Sequence, residues 1–506
     1  MKWFITSILL VMVIWSTVAQ SYAADAAAMM QPGLSGTARS LGVGGAFSSI
    51  GGDLSCMSSN PAGVALFSKS EFDISGGGNI GSNTSQYLDK SSQSKYSKGL
   101  LSQAGFAFTS RKLSPYNDLA IRRKGSKLDR FILAIGFQQL ADFTTTQNFN
   151  GTNTSNSYEQ AVASSLNTGS DQIGYPIPAN NSLQSALVRY DSAISKYAPV
   201  IGQPIYQTGS VTSKGALRDI NLTMGFNIGN TIYIGIGVGM PYMSYSSYYS
   251  FAESNAGNDS VVKTNYGYTI SGLGVNGKLG MIFKPTKWLR LGASFQTPTY
   301  FHLKKTTSGS ANTKFGDSTN YFSPYNSSNS FQFYNPLKAT FGVSFYVKQW
   351  AIISVDYEIA NYSGTHYHFD GDQSASIYWN TLISSKYRLS STLKAGIEVS
   401  YKKLRLRGGI AWSQSPVRDD STTNGYASAR LDYTAGIGLR GKVFFADLAY
   451  VRTLSRSYYA PYSYSDTKGR QQPGVYTAAT ANVIVVTVGF TFGKSGNQSI
   501  PVYNYR

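Results

Sequence analysis

Three histidines, one cysteine and a glycine-spaced strand are the residues best suited to chemistry in this 506-residue chain. His366 and His368 are separated by one residue, as two imidazole ligands of a metal would be. Neither Cys56 nor the third histidine, His302, lies near them to complete a ligand set. No serine stands in a Gly-x-Ser-x-Gly elbow, and no P-loop or dinucleotide fingerprint is present. Gly235, Gly237 and Gly239 have a Gly-x-Gly spacing, but they alternate with Ile236 and Val238 in strand period, so they make room on one face of a strand. The lone cysteine excludes an internal disulfide. The charges are more telling. Lys403, Arg405 and Arg407 alternate with Leu404, Leu406 and, further on, Ile410 and Trp412; Lys394 and Glu398 oppose Leu393, Ala395, Ile397, Val399 and Tyr401. Asp356, Glu358, Asp432, Asp447, Arg290 and Arg440 fall on the same polar side. This pattern makes a salt-bridged lining rather than a catalytic constellation, so the expectation is no enzyme, no metal and no cofactor.

The elements that carry these charges are strands. The chain ends NVIVVTVGFTF (482–492), with Ile484, Val486, Val488, Phe490 and Phe492 on one face and smaller residues on the other. Fourteen such period-two segments can be placed between 71 and 493, beginning with 71–80, 101–110 and 130–143. Tight turns at Gly229-Asn230-Thr231, Pro285-Thr286-Lys287, Lys348-Gln349, Lys402-Lys403 and Gly441-Lys442 alternate with long polar stretches at 245–265, 304–335, 363–390, 414–428 and 456–479. An even number of strands, with short turns on one side and long loops on the other, describes an all-β, 14-stranded antiparallel transmembrane β-barrel with both termini in the periplasm. A charge facing mid-bilayer lipid costs about 2–4 kcal/mol, which turns the charged faces toward the lumen.

Residues 1–23 read as a signal peptide: Lys2, an apolar run from Phe4 to Val18, and the small-x-small site Ser21-Tyr22-Ala23. The apolar run falls short of the roughly 20 residues needed to span a bilayer as a helix. Export and barrel together predict the outer membrane of a Gram-negative bacterium. The 51 glycines and 37 tyrosines suit a tightly packed lumen and aromatic girdles. The formal net charge of +19 is scattered rather than gathered in a stripe, which fits anionic headgroups and argues against nucleic acid.

Residues 24–70 do not read as strand. They are rich in glycine and carry Leu41, Val43, Phe47, Ile50, Leu54, Val64, Leu66 and Phe67, more apolar surface than a free tail would expose. They are expected to fold into the lumen as a plug, ahead of a barrel over 71–493 and a periplasmic tail over 494–506. At the extracellular rim, 182–197 places Leu183, Leu187, Tyr190, Ile194 and Tyr197 on one helical face, and an amphipathic helix there would wall an apolar groove or pack on the rim. In the third strand, Gly136 and Asp142 are candidates for an irregularity.

GTARSLGVGGAFSSIGGDLSCMSSNPAGVALFSKSEF (36–72) resembles the N-terminal hatch of FadL-type outer-membrane transporters of long-chain fatty acids and other hydrophobic compounds. Asn60-Pro61-Ala62, followed by Gly63, matches the family's hatch motif. RLGASFQTPTYF (290–301), VDYEIANYSG (355–364) and FFADLAYVRTLSRSYYAPYS (444–463) resemble strand segments of that family. The resemblance implies a hatch-plugged barrel and uptake by diffusion without an energy source. It also implies capture in an extracellular groove and release sideways through a kinked third strand. The expected partners are a hydrophobic small molecule, outer-membrane lipid and lipopolysaccharide, and the barrel-assembly machinery, for a protein acting as a monomer. The alternatives are a non-transporting barrel that binds or shuttles secreted surface proteins, and a general diffusion porin.

Overall fold

The computed structural model describes residues 33–110, 128–168, 188–255, 260–418, 429–464 and 471–493. The wall begins with a hairpin of β1 (Ser70–Tyr87) and β2 (Lys90–Thr109). The third wall strand is in two pieces, β3 (Leu128–Asp142) and β4 (Thr145–Asn153). A small hairpin, β5 (Arg189–Asp191) and β6 (Lys196–Ala198), precedes three long strands, β7 (Ile205–Ile228), β8 (Ile232–Ser254) and β9 (Ser260–Phe283). Prolines interrupt the next two wall strands. Pro298 divides β10 (Leu289–Gln296) from β11 (Thr299–Phe315), and Pro336 divides β12 (Ser318–Asn335) from β13 (Lys338–Val347). The rest are β14 (Ala351–Asn361), the short β15 (His366–His368), β16 (Leu389–Tyr401), β17 (Leu404–Ser413), β18 (Arg430–Arg440), β19 (Phe444–Tyr459) and β20 (Val475–Phe492). Neighbours pair antiparallel, and β20 pairs with β1 from Ser70↔Phe492 to Tyr87↔Val475, closing a barrel of fourteen strands.

Closure removes the free edges that a sheet cannot expose to hydrocarbon. The outward face carries Phe72, Leu273, Phe341, Leu406, Trp412 and Ile484, all exposed, a continuous apolar surface that belongs in lipid. The opposite faces of the same strands are buried and polar. Glu398 bonds both Arg39 (3.1 Å) and Arg407 (2.6 Å); Arg407 reaches Asp447 (2.6 Å), which also holds Arg440 (2.9 Å). Lys403 differs from its expected inward setting: it sits in the β16–β17 turn, where the side chain is exposed.

Parts of three of the long polar stretches are strand and not loop. β8 and β9 stay paired out to Ser254↔Val261, β11 and β12 out to Phe315↔Ser318, and β19 and β20 start their pairing at Tyr459↔Val475. These ribbons stand beyond the lipid and lack an oily face, so the period-two signal vanishes although the backbone ladder continues. His366 and His368 likewise lie in β15, paired with β12, and not in a loop.

Residues 33–67 lie inside the ring of strands. They contain α1 (Ala38–Gly42), α2 (Cys56–Ser59) and a 3₁₀ turn, Pro61–Leu66. Their backbone is held by wall side chains from all round the bore. Ala38 N donates to Thr487 Oγ1 (2.7 Å), Ser48 N to Asp356 Oδ2 (2.8 Å), Arg290 Nη1 to Ile50 O (2.7 Å) and Thr434 Oγ1 to Gly42 O (3.1 Å). Inward glycines let the two backbones touch. A Cβ at Gly235 would stand 2.1 Å from the Pro61 carbonyl carbon, one at Gly396 2.2 Å from Val43 O, and one at Gly409 2.4 Å from Gly44 N. The lumen charges thus satisfy a segment that has too few partners of its own.

Candidate functional site

Asn60, Pro61, Ala62 and Gly63 form a closely packed turn of the inner segment. Asn60 caps the 3₁₀ turn by accepting from Ala62 N (3.0 Å), with Pro61 in the position that needs no donor. Its amide donates to Ser48 O (2.7 Å) and Met281 O (3.3 Å), tying the turn to the inner segment and to β9. Gly63 admits Cys56, whose Sγ would be 2.4 Å from a Cβ there.

The wall itself is interrupted beside this segment. β2 and β3 pair from Thr109↔Ile132 to Gln103↔Gln138 and then part. β3 carries a bulge against β7, where Gln139 pairs with Arg218 and Ala141 with Leu217, leaving Leu140 as the extra residue. The strand breaks after Asp142, whose carboxylate accepts from Thr144 N (3.0 Å) in an Asx turn. β4 then crosses the lumen face of the first hairpin: Asn83 and Ser94 both donate to Thr146 O at 2.6 Å. The irregularity therefore spans Leu140 to Thr144 and includes Asp142. Gly136 is not part of it; Gly136 keeps register with Gly105 and Asn221, and its missing side chain makes room for Met57.

The start of the inner segment fills the gap from inside. Gly33 N donates to Leu140 O (3.1 Å), Ser102 Oγ to Gly36 O (2.6 Å) and Gln138 Nε2 to Ser35 Oγ (2.9 Å). Leu34 packs in a cluster with Leu100 of β2. The strand edges freed by the kink thus find part of their partners in residues 33–36.

Next to these residues is a cavity of about 160 Å³. Leu34, Leu140, Leu217, Pro241 and Phe301 give it an apolar side; Asn276, Lys278, Asn335, Lys338, Asp356 and Lys394 give it a polar one. Lys278 is paired with Asp219 (2.7 Å) and Lys394 with Glu358 (2.9 Å). Lys338 makes no ion pair among the described residues, and the buried oxygens Asn276 Oδ1, Asn335 Oδ1 and Asp356 Oδ1 have no hydrogen-bond partner. Beyond the cavity, Tyr245, Tyr268, Phe331, Phe333 and Tyr367 pack with Trp379 of α4 (Gln373–Lys386) into an apolar cluster.

The expected rim helix over 182–197 is corrected in its described part. Arg189–Asp191 and Lys196–Ala198 form a hairpin, with Tyr190 in a strand and Ile194 exposed in its turn; Leu183 and Leu187 lie outside the described residues. The seven-residue spacing of Tyr190 and Tyr197 suits two helical turns, but it also places them opposite each other across a short hairpin, where their rings meet edge to face at 5.2 Å. Asp191 accepts from Ala193 N (2.9 Å), which favours the turn.

A helix is found at this end in α3 (Tyr158–Thr168). Glu253 accepts from Tyr158 N (2.6 Å) and Glu159 N (3.3 Å) at its N-terminus, where a carboxylate is favoured. Glu159 turns back to accept from Val200 N (2.7 Å) and Ile201 N (2.9 Å). Burial pushes its carboxyl up to about 7, against two backbone donors that pull it down. A carboxyl raised in the folded state binds more protons folded than unfolded, so its contribution is full below about pH 4 and is lost as pH rises through about 7. Protection of Val200 and Ile201 from hydrogen exchange, taken relative to the intrinsic rate at each pH, should therefore fall between pH 5 and pH 8. Glu159→Gln should remove that dependence; an unchanged slope in the variant would refute the assignment.

Sequence reasoning missed Lys338, residues 33–36 as gap fillers, and the polar edge of β2 above Leu101. Lys338 is readable in retrospect, since it lies three residues before the lipid-facing Phe341 and so has inward parity.

The architecture recurs in solved structures. A FadL homologue from Pseudomonas aeruginosa superposes with a TM-score of 0.55 at 12% identity, over 91% of this chain and 99% of that one. The P. putida toluene transporter TodX does so with a TM-score of 0.52 at 12% identity, over 92% and 99%. No family model and no curated protein matches this chain. The chain has the FadL-type barrel fold.

Proposed function

We propose that this FadL-type barrel carries hydrophobic small molecules passively into and across the outer membrane and releases them sideways through its wall. The observation that carries the reading is the parting of β2 and β3 above Gln103↔Gln138, next to a bore filled by residues 33–67. A filled bore disfavours an axial path and an open porin; a parted wall offers a lateral one. Residues 60–63 act as the hatch that keeps the bore closed. The barrel works as a monomer among outer-membrane lipid and lipopolysaccharide, reached through the export signal and the barrel-assembly machinery.

The substrate proposed is an amphiphile of the long-chain fatty acid kind. A volume of about 160 Å³ is below the roughly 300 Å³ at which whole drug-sized ligands are enclosed, so the cavity suits a head group and a few carbons. Lys338, which makes no ion pair among the described residues, suits a head group that carries negative charge and accepts hydrogen bonds. A monoaromatic hydrocarbon would leave this ammonium without an anion. Lys338→Met should raise the fatty-acid concentration for half-maximal uptake by about tenfold, the worth of one charge-assisted hydrogen bond. Toluene entry should not change. Equal effects on both compounds, or none on the fatty acid, would reject the carboxylate assignment.

A further inference from the structure

The gap in the wall has a frame. At its lower end the β2–β3 ladder stops at Gln103↔Gln138. Five residues further along β2 and four along the third strand, Lys98 Nζ reaches Asp142 Oδ1 at 3.1 Å. The same ammonium approaches Thr144 Oγ1 at 3.2 Å and Gly215 O at 3.4 Å, so one side chain ties β2 to both ends of the kink and to β7. Four residues of extended chain span about 13 Å. Between the two closures no backbone pairing joins β2 to β3 among the described residues, and residues 33–36 fill the opening from the lumen side.

We propose that Lys98 is the positioning residue that sets the upper limit of the lateral portal, an inference that rests on the reading of the gap as an exit. Asp142 serves two purposes there. It fixes the kink through Thr144 N and it receives Lys98, so the bend that parts the strands also supplies the anion that halts the parting. The pair is partly buried, with side-chain exposures of 29% and 14%, which limits screening by salt. Beyond it β4 is held to the first hairpin by two bonds from Asn83 and one each from Ser94 and Asn150, so losing the Lys98 contact lengthens the stretch of wall between these bonds and the β2–β3 ladder.

The test uses the full-length protein in lipid vesicles with nitroxide labels at Gly99→Cys and Thr152→Cys. Gly99 faces open space, Thr152 is exposed, and the native Cys56 is fully buried and stays unlabelled. Lys98→Met should broaden the label-to-label distance distribution toward longer values, and Lys98→Arg, which keeps the charge, should restore it. Entry of a bulky branched-chain fatty acid should rise by about fivefold in Lys98→Met, the scale of a partly buried ion pair, with a straight-chain acid little affected. Distances unchanged by Lys98→Met would overturn the proposal. Distances that broaden while even the unaltered protein admits no fatty acid would leave the Lys98 contact standing and reject the transport reading instead.

Discussion

Gly409→Ala will make the barrel conduct ions, and Gly408→Ala, one residue away, will not. The two glycines are adjacent in β17 and face opposite ways. A Cβ at Gly409 would stand 2.4 Å from Gly44 N and 2.4 Å from the Val43 carbonyl carbon, whereas one at Gly408 meets only Ile397 Cγ2 at 4.0 Å. The clash at Gly409 is between two backbones, so no flexible side chain can swing aside. Gly44 has a φ of +67°, and Val43 is already 2.2 Å from where a Cβ on Gly396 would be, so the inner segment cannot shift along the wall either.

Overpacking of this kind costs about 1–3 kcal/mol, which raises the population of a displaced inner segment by about fivefold or more. Displacement also uncouples Arg39 from Glu398 and Ser48 from Asp356, leaving lumen charges that water will then enter to solvate. Planar-bilayer conductance should thus rise in Gly409→Ala alone, with both variants retaining the heat-modifiable mobility of a folded barrel. Equal conductance in the two variants would mean that residues 33–67 do not close the bore.

Most of the wall was legible because its alternation is enforced by lipid. Leu393, Ile397 and Val399 must face hydrocarbon, and that parity sends Lys394 and Glu398 inward with no further information. The signal fails where lipid ends. The ribbon over 304–335 has water on its outer side and reads as a polar stretch, although β11 and β12 stay paired along it with one register shift between Gly309 and Ala311. The same limit hid Lys98, which lies on the part of β2 beyond Leu101 where outward residues turn polar.

The inner segment was legible as something that must be buried, from Leu41, Phe47, Ile50 and Leu54, but its partners were not. Its contacts join residues hundreds of positions apart, such as Ala38 with Thr487, and nothing local encodes them. The kink was half legible. Asp142 marks it through a local Asx turn; Gly136 misled, because its small size serves Met57 and not the strand's own path. The described part of the expected rim helix is a hairpin for a similar reason: a seven-residue aromatic spacing satisfies a helix and a hairpin equally.

Leu140 is where the lateral path can be closed with one side chain. It is the extra residue of the β3 bulge, its carbonyl is held by Gly33 N, and its side chain lines the cavity beside the gap. On the proposed lateral route, a substrate leaving the cavity passes it. Leu140→Glu keeps the backbone contacts and puts an anion on this apolar margin, where it repels a carboxylate and resists burial. Leu140→Ala removes bulk without adding charge and should leave passage open.

The decisive measurement is entry of a labelled long-chain fatty acid into cells whose outer membrane limits its uptake. It should compare cells lacking the protein with cells carrying the unaltered chain, Leu140→Ala or Leu140→Glu at equal levels of folded barrel. The unaltered chain and Leu140→Ala should speed entry, and Leu140→Glu should return it to the level of cells without the protein. Entry unaffected by the unaltered barrel, or undiminished in Leu140→Glu, would contradict lateral release of a hydrophobic substrate.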